Sequence, residues 1–180
     1  MTLPNLITSL RIILAPIFVI YSIRGDFRAA LIVFIIAGLS DGADGLIARW
    51  FNQKSKMGAY LDPLADKILL VTAFVVLSIK EYIPPWLTVM AISRDILILL
   101  GVLILFLNRM DITIRPSILS KVTTCLQLGT VFMVLSKDYF PFFFHLNIYV
   151  FWATAIFTIS SGLHYMHYWF KVMGEYAPED

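Results

Sequence analysis

Asp41-Gly42-Ala43-Asp44-Gly45-Leu46-Ile47-Ala48-Arg49, followed after residues 50–57 by Gly58-Ala59-Tyr60-Leu61-Asp62-Pro63-Leu64-Ala65-Asp66, places four carboxylates inside long apolar runs. Residues 29–50 and 60–79 are each long enough to cross about 30 Å of hydrocarbon, which takes roughly 20 residues of helix. A carboxylate at that depth costs about 3 kcal/mol even on the lenient insertion scale, so it needs a boundary, a cavity or a partner. Asp95 poses the same question further along the chain.

Four more runs of this kind surround the pair, at 5–23, 85–107, 118–136 and 147–170, and predict an all-α, polytopic membrane protein with six transmembrane helices in one bundle. The 180 residues are 59% hydrophobic with mean hydropathy +0.83, against 45–50% apolar content in soluble domains. The runs are separated by short segments that combine charge with turn or helix-breaking residues: Arg24-Gly25-Asp26, Asn52 to Lys56, Lys80 to Pro85, Asn108 to Pro116 and Lys137 to Pro141. Residues 1–180 therefore read as a single membrane domain without a separate soluble part. Met1 to Ile23 lacks a basic leader and a small-residue cleavage site, and reads as the first membrane helix instead of a removable signal.

Six spans put both termini on one side. Arg49, Lys54, Lys56, Arg109, Arg115, Lys121 and Lys171 then share that side, against Arg24, Arg28, Lys80 and Lys137 opposite, so the positive-inside rule makes it cytoplasmic, or matrix-side in an organelle. The carboxylates lie toward the same side. Tyr82, Trp86, Tyr139, Tyr165 and Trp169 fall near the boundaries and read as interfacial anchors. A net charge of +2 without a basic run gives no footprint for nucleic acid. The one cysteine, Cys125, has no second cysteine for a disulfide or a thiolate metal site.

Spacing organises the acids. Asp41, Asp44, Gly45 and Ala48 recur at i, i+3, i+4 and i+7, one face of a helix; Gly58, Asp62 and Asp66 do the same at i, i+4 and i+8. The short link predicts that the two helices are antiparallel neighbours whose carboxylate faces meet. Carboxylates gathered in low dielectric repel one another unless cations neutralise them. An all-oxygen set without nearby His or Cys suits Mg²⁺ or Mn²⁺, and a pair of such ions is a common device in phosphoryl chemistry. Gly45, Ala48 and Gly58 leave room for a planar base and a diphosphate, although small residues at such spacing equally serve close helix packing. The acids would also suit a proton or ion path in a small transporter, a reading weakened by their clustering at one end of two helices.

The pattern Asp-x-x-Asp-Gly-x-x-Ala-Arg, eight residues, Gly-x-x-x-Asp-x-x-x-Asp resembles the signature of the CDP-alcohol phosphotransferase family, with every fixed position met. Pro4-Asn5-Leu6-Ile7-Thr8 with Arg11, and Leu61 to Lys67, look like the branch that makes phosphatidylglycerophosphate and cardiolipin. The resemblance implies a membrane enzyme that takes CDP-diacylglycerol, uses two Mg²⁺ or Mn²⁺ ions, works in the lipid bilayer and forms a homodimer. It implies that Asp41, Asp44, Asp62 and Asp66 hold the metals, and that Asp66 is also the catalytic base. Asp41, Gly45, Ala48, Arg49 and Gly58 would bind the cytidine diphosphate. Pro63, between two of these ligands, costs a helix one hydrogen bond, and a kink is expected there.

Arg94, Arg115 and Lys121 are candidates for acceptor binding, since guanidinium groups suit phosphate. Each has an alternative: Arg94 as partner of an intramembrane carboxylate, Arg115 and Lys121 as positive-inside charge. The acceptor is read as glycerol 3-phosphate, giving phosphatidylglycerophosphate and CMP. The alternative is phosphatidylglycerol, toward which Ser93-Arg94-Asp95 and the stretch from Pro116 to Gln127 look nearer. His145, His164 and His167 are not spaced with the acids and read as interfacial.

Overall fold

Every element among the described residues is an α-helix: α1 (Leu3–Arg24), α2 (Phe27–Phe51), α3 (Gly58–Ile79), α4 (Pro85–Leu107), α5 (Ile118–Leu135) and α6 (Phe142–Glu175). The computed structural model describes residues 3–51, 58–107, 117–140 and 142–175; the side chains of residues 3–10, 12, 41–51, 58–66, 105–107, 142–145, 172–173 and 175 lie outside the description.

Local chemistry explains where the helices stop. Gly25, at φ +79°, ends α1 in the left-handed conformation that glycine adopts without steric cost. Its N–H donates to Ser22 O at 3.2 Å and that of Asp26 to Tyr21 O at 3.0 Å, the paired bonds of a Schellman cap. Asp26 Oδ1 then accepts from Ala29 N at 3.1 Å and opens α2. The end of α3 repeats the device, with Glu81 N–H donating to Ser78 O and Tyr82 N–H to Leu77 O, both at 2.9 Å, and Glu81 at φ 62° where a glycine would be expected. Ser117 caps α5 by accepting from Ser120 N at 3.1 Å.

The caps that end α1 and α3 lie at the same end of an up-and-down bundle. Lys80 Nζ at the end of α3 donates to Ile23 O at the end of α1 at 2.8 Å, so α1 and α3 run in parallel. Phe27, opening α2, meets Tyr82 edge to face at 4.8 Å, which makes α2 antiparallel to α3 as the sequence predicts. Adjacency differs from the expectation. α1 packs extensively on both α2 and α3, while α2 and α3 scarcely touch. A short link fixes the direction of two helices, not their contact. Here α1 fills the space with Ala15 and Phe18, the latter 6.1 Å from Phe34 of α2. The other half of the bundle is α4, α5 and α6, with α6 packed along both others. Between the halves α5 approaches α2 and α3 lightly, and an open space remains there.

The outer surface carries Ile13, Ile32, Leu39, Val89, Ile96, Leu103, Ile156 and Leu163, all exposed. An apolar girdle of that extent belongs against lipid. Pro85–Ile104, Ile118–Leu135 and Leu146–Lys171 are each long and apolar enough to span a bilayer. Ile13–Arg24, Phe27–Ser40 and Lys67–Ile79 supply shorter apolar stretches of α1 to α3. Tyr165 is a correction: it is buried, and its hydroxyl accepts from Ser117 N at 3.5 Å, because its side of α6 faces α5 instead of lipid.

Candidate active site

Arg94 is buried in the middle of α4, and its partners come from three helices. Nη1 donates to Asp95 Oδ1 at 2.6 Å, Nη2 to Ser120 Oγ of α5 at 2.5 Å and to Ser161 Oγ of α6 at 3.0 Å. Asp95 is shared, since Lys67 Nζ of α3 lies 3.6 Å from the same Oδ1. The trio carries one net positive charge, with Arg94 and Asp95 buried and Lys67 partly exposed, and both cations gain from the one carboxylate. Arg94 and Lys67 both engage Oδ1 of Asp95, not Oδ2.

The trio forms one wall of a cavity of about 280 Å³ between the two halves of the bundle. Arg11 of α1, Ala37 and Gly38 of α2, Leu69 and Leu70 of α3, and Thr124, Gln127 and Leu128 of α5 complete it. Gln127 is 1% exposed, and its Nε2 has no hydrogen-bond partner among the described residues. Ala37, Leu69, Leu70 and Leu128 supply aliphatic wall, and the polar groups come from Arg11 on α1, Lys67 on α3, Arg94 and Asp95 on α4, and Thr124 and Gln127 on α5.

Helical register ties this cavity to the carboxylates. Leu69 and Leu70 line it, and Asp66 precedes them by three and four positions, one turn along the same face of α3. Ala37 and Gly38 line it from α2, and Asp41 follows them by four and three positions. Asp41 and Asp66 therefore occupy the turn next to the cavity on each helix, about 5 Å toward the end where Phe51 and Gly58 lie. α2 is an unbroken helix through Asp41, Asp44, Gly45, Ala48 and Arg49, as is α3 through Gly58, Asp62 and Asp66. Pro63, sixth in that unbroken helix, lies beyond its first turn, so its missing N–H removes one bond to the carbonyl of residue 59.

The side chains of Asp41, Asp44, Asp62, Asp66, Gly45, Ala48, Arg49 and Gly58 lie outside the described ones, so the metal and cytidine diphosphate contacts expected of them stay expectations. Among the described residues there is no cluster of three or more potential metal ligands. The donor set still fits a hard divalent cation. Continuous helices keep its carboxylates at one-turn intervals on two helices that flank a gap, and all its donors are oxygen.

Of the acceptor candidates, Arg94 lines the cavity and pairs with the intramembrane Asp95, as its alternative reading expects. Lys121 is exposed, and Arg115 lies outside the described residues. His164 and His167 are exposed, as the interfacial reading expects. Sequence reasoning passed over Lys67, Asp95 and Gln127 as a group. Its available signal was that each is a polar side chain in an apolar span, which in a membrane marks an interior position.

The sequence profile of the CDP-alcohol phosphatidyltransferases matches residues 1–160. The chain belongs to that family. It is 39% identical over 184 residues to cardiolipin synthase (CMP-forming) of Rattus norvegicus and to that of Homo sapiens, over 93% of this chain and 61% of each relative. It thus spans about three fifths of the length of those relatives. It is 32% identical over 181 residues to the CDP-diacylglycerol–glycerol-3-phosphate 3-phosphatidyltransferase of Bacillus subtilis, over 91% of this chain and 92% of that protein.

Proposed function

We propose that the chain transfers the phosphatidyl group of CDP-diacylglycerol to a hydroxyl of phosphatidylglycerol, forming cardiolipin and CMP. The observation that carries this reading is the similarity over 93% of the chain to proteins named cardiolipin synthase (CMP-forming). It replaces glycerol 3-phosphate as the first choice of acceptor. That second reading keeps the support of the similarity to the Bacillus subtilis enzyme, which is matched over nearly its whole length.

In this reading Gly45, Ala48, Arg49 and Gly58, with Asp41, hold the cytidine diphosphate at the carboxylate end. Asp66 takes the proton of the acceptor hydroxyl as its oxygen bonds to the phosphatidyl phosphorus. The bond from that phosphorus to the bridging oxygen breaks, and its electron pair leaves with CMP. Divalent cations held by Asp41, Asp44, Asp62 and Asp66 supply charge neutralisation for the diphosphate. The carboxylate end faces the cytoplasm or matrix, where the Lys and Arg excess lies, and two chains form a homodimer, to be checked by light scattering of the detergent-solubilised protein.

Purified protein in nanodiscs, given labelled CDP-diacylglycerol and either acceptor, tests the reaction. Phosphatidylglycerol should yield labelled cardiolipin and free CMP. Phosphatidylglycerophosphate from glycerol 3-phosphate, with no product from phosphatidylglycerol, establishes the second reading. Ion flux across sealed vesicles with no lipid product from either acceptor returns the acids to a transport role.

A further inference from the structure

The cavity has three properties that point to one class of occupant. A volume of about 280 Å³ is near the lower end of small-ligand sites, roughly 300–1,000 Å³. Its polar groups are complementary to hydroxyls: Gln127 Nε2 is a buried donor without a partner among the described residues, and Asp95 Oδ2 is an acceptor not taken up by Arg94 or Lys67. A buried amide donor left unpaired is costly, so the space beside it calls for an oxygen. Arg11, Lys67 and Arg94 against Asp95 give the lining a surplus of positive charge, which attracts a phosphate group.

The third property is access. Gly38 of α2 is exposed, with open space where a Cβ would project, and Leu128 of α5 is 39% exposed. Both line the cavity, and the two helices touch only lightly. Gly38 lies in the apolar stretch Phe27–Ser40 and Leu128 in the span Ile118–Leu135. The rim between them therefore faces hydrocarbon, not water.

We infer that this cavity is the site for the acceptor's headgroup, that the headgroup is the glyceryl phosphodiester of a membrane lipid read by Gln127, Asp95 and Lys67, and that it enters sideways from the bilayer between α2 and α5. The inference rests on the phosphatidyl-transfer reading and identifies how the acceptor reaches it. Gln127 Nε2 donates to one glyceryl hydroxyl, Asp95 Oδ2 accepts from another, and Lys67 pairs with the phosphodiester. The aliphatic lining accommodates the glyceryl carbons. Leu69 and Leu70, which line the cavity from α3, follow Asp66 by about one helical turn. Acyl chains remain in the bilayer outside Gly38 and Leu128.

Steady-state kinetics in nanodiscs test this with Gln127→Leu and Gly38→Phe. Thermal midpoint and CDP binding serve as controls for folding and for the donor site. Gln127→Leu should raise KM for phosphatidylglycerol about tenfold or more, the size of one lost hydrogen bond, with kcat and KM for CDP-diacylglycerol changed less than about threefold. Gly38→Phe should slow transfer to long-chain phosphatidylglycerol more than to a water-soluble short-chain form. An unchanged KM in folded Gln127→Leu overturns the headgroup site, and equal slowing of both chain lengths by Gly38→Phe overturns lateral entry. Should Gln127→Leu not fold, Gln127→Glu takes its place, since it keeps the size but removes the amide donor. Wild-type protein that makes no cardiolipin overturns the acceptor reading itself, a result distinct from a variant that leaves KM unchanged.

Discussion

A guanidinium that reaches Asp95 on its own helix, Ser120 on α5 and Ser161 on α6 ties three helices together. Arg94→Met removes that tie and leaves Asp95 with Lys67 alone, at 3.6 Å. Breaking a buried ion pair from one side costs about 3–5 kcal/mol, so the variant should unfold well below wild type in a detergent denaturation series. Arg94→Met combined with Asp95→Asn should regain little of that loss, because Lys67 then loses its carboxylate partner. Asp66→Asn probes the proposed chemistry. The amide is nearly isosteric and offers an oxygen to a metal, but cannot take a proton. Single-turnover transfer should fall by roughly 10²–10⁴-fold, with affinity for CDP-diacylglycerol much less affected. Near-normal turnover would remove Asp66 from the base role, and an equal loss of rate and affinity would make it chiefly a metal ligand.

Among the helices, the contact between Gly101 of α4 and Trp169 of α6 has the least tolerance. A Cβ built on Gly101 would overlap the indole ring, so Gly101→Leu must displace Trp169 and separate the two helices. Overpacking of this kind typically costs about 1–3 kcal/mol, and the loss should show as a lowered thermal midpoint that Trp169→Ala partly restores. Element positions were legible in the sequence because an apolar run of membrane length between charged turns admits few boundaries. The expected 85–107 is α4 itself, and 118–136 exceeds α5 by one residue. The sixth helix, expected at 147–170, runs from Phe142 to Glu175, since the aromatic start and polar end were read as boundary when both continue the helix. Which helices touch was not legible. Lipid and protein interior are equally apolar, so hydrophobic pattern does not separate an outer face from an inner one. That is why the wedge of α1 between α2 and α3, and the burial of Tyr165, came only from the structure. Spacing put the four carboxylates at one-turn intervals on α2 and α3 but could not show that Lys67, Arg94, Asp95 and Gln127, from three helices, border one space.

For the whole molecule, the proposed chemistry makes activity conditional on a divalent metal. Chelation should abolish lipid transfer, and Mg²⁺ or Mn²⁺ should restore it, while the circular dichroism of the helices stays unchanged. Full transfer in a metal-free preparation would sink the carboxylate site. The Arg94–Asp95 pair has a further consequence for how the bundle is made. Pro85–Ile104 is the most apolar of the three spans, with hydropathy 2.2, yet it contains both charges. Because the carboxylate is the next residue on the same helix, the cation carries its counter-ion with it. α4 can leave the translocation channel as a neutral segment before α5 and α6 have been synthesised, and the serines that later hold Arg94 are needed for assembly, not for passage into the membrane. Had the same carboxylate been supplied by α6, the finished site would look alike, but α4 would have to wait, charged, for a partner that emerges more than 50 residues later.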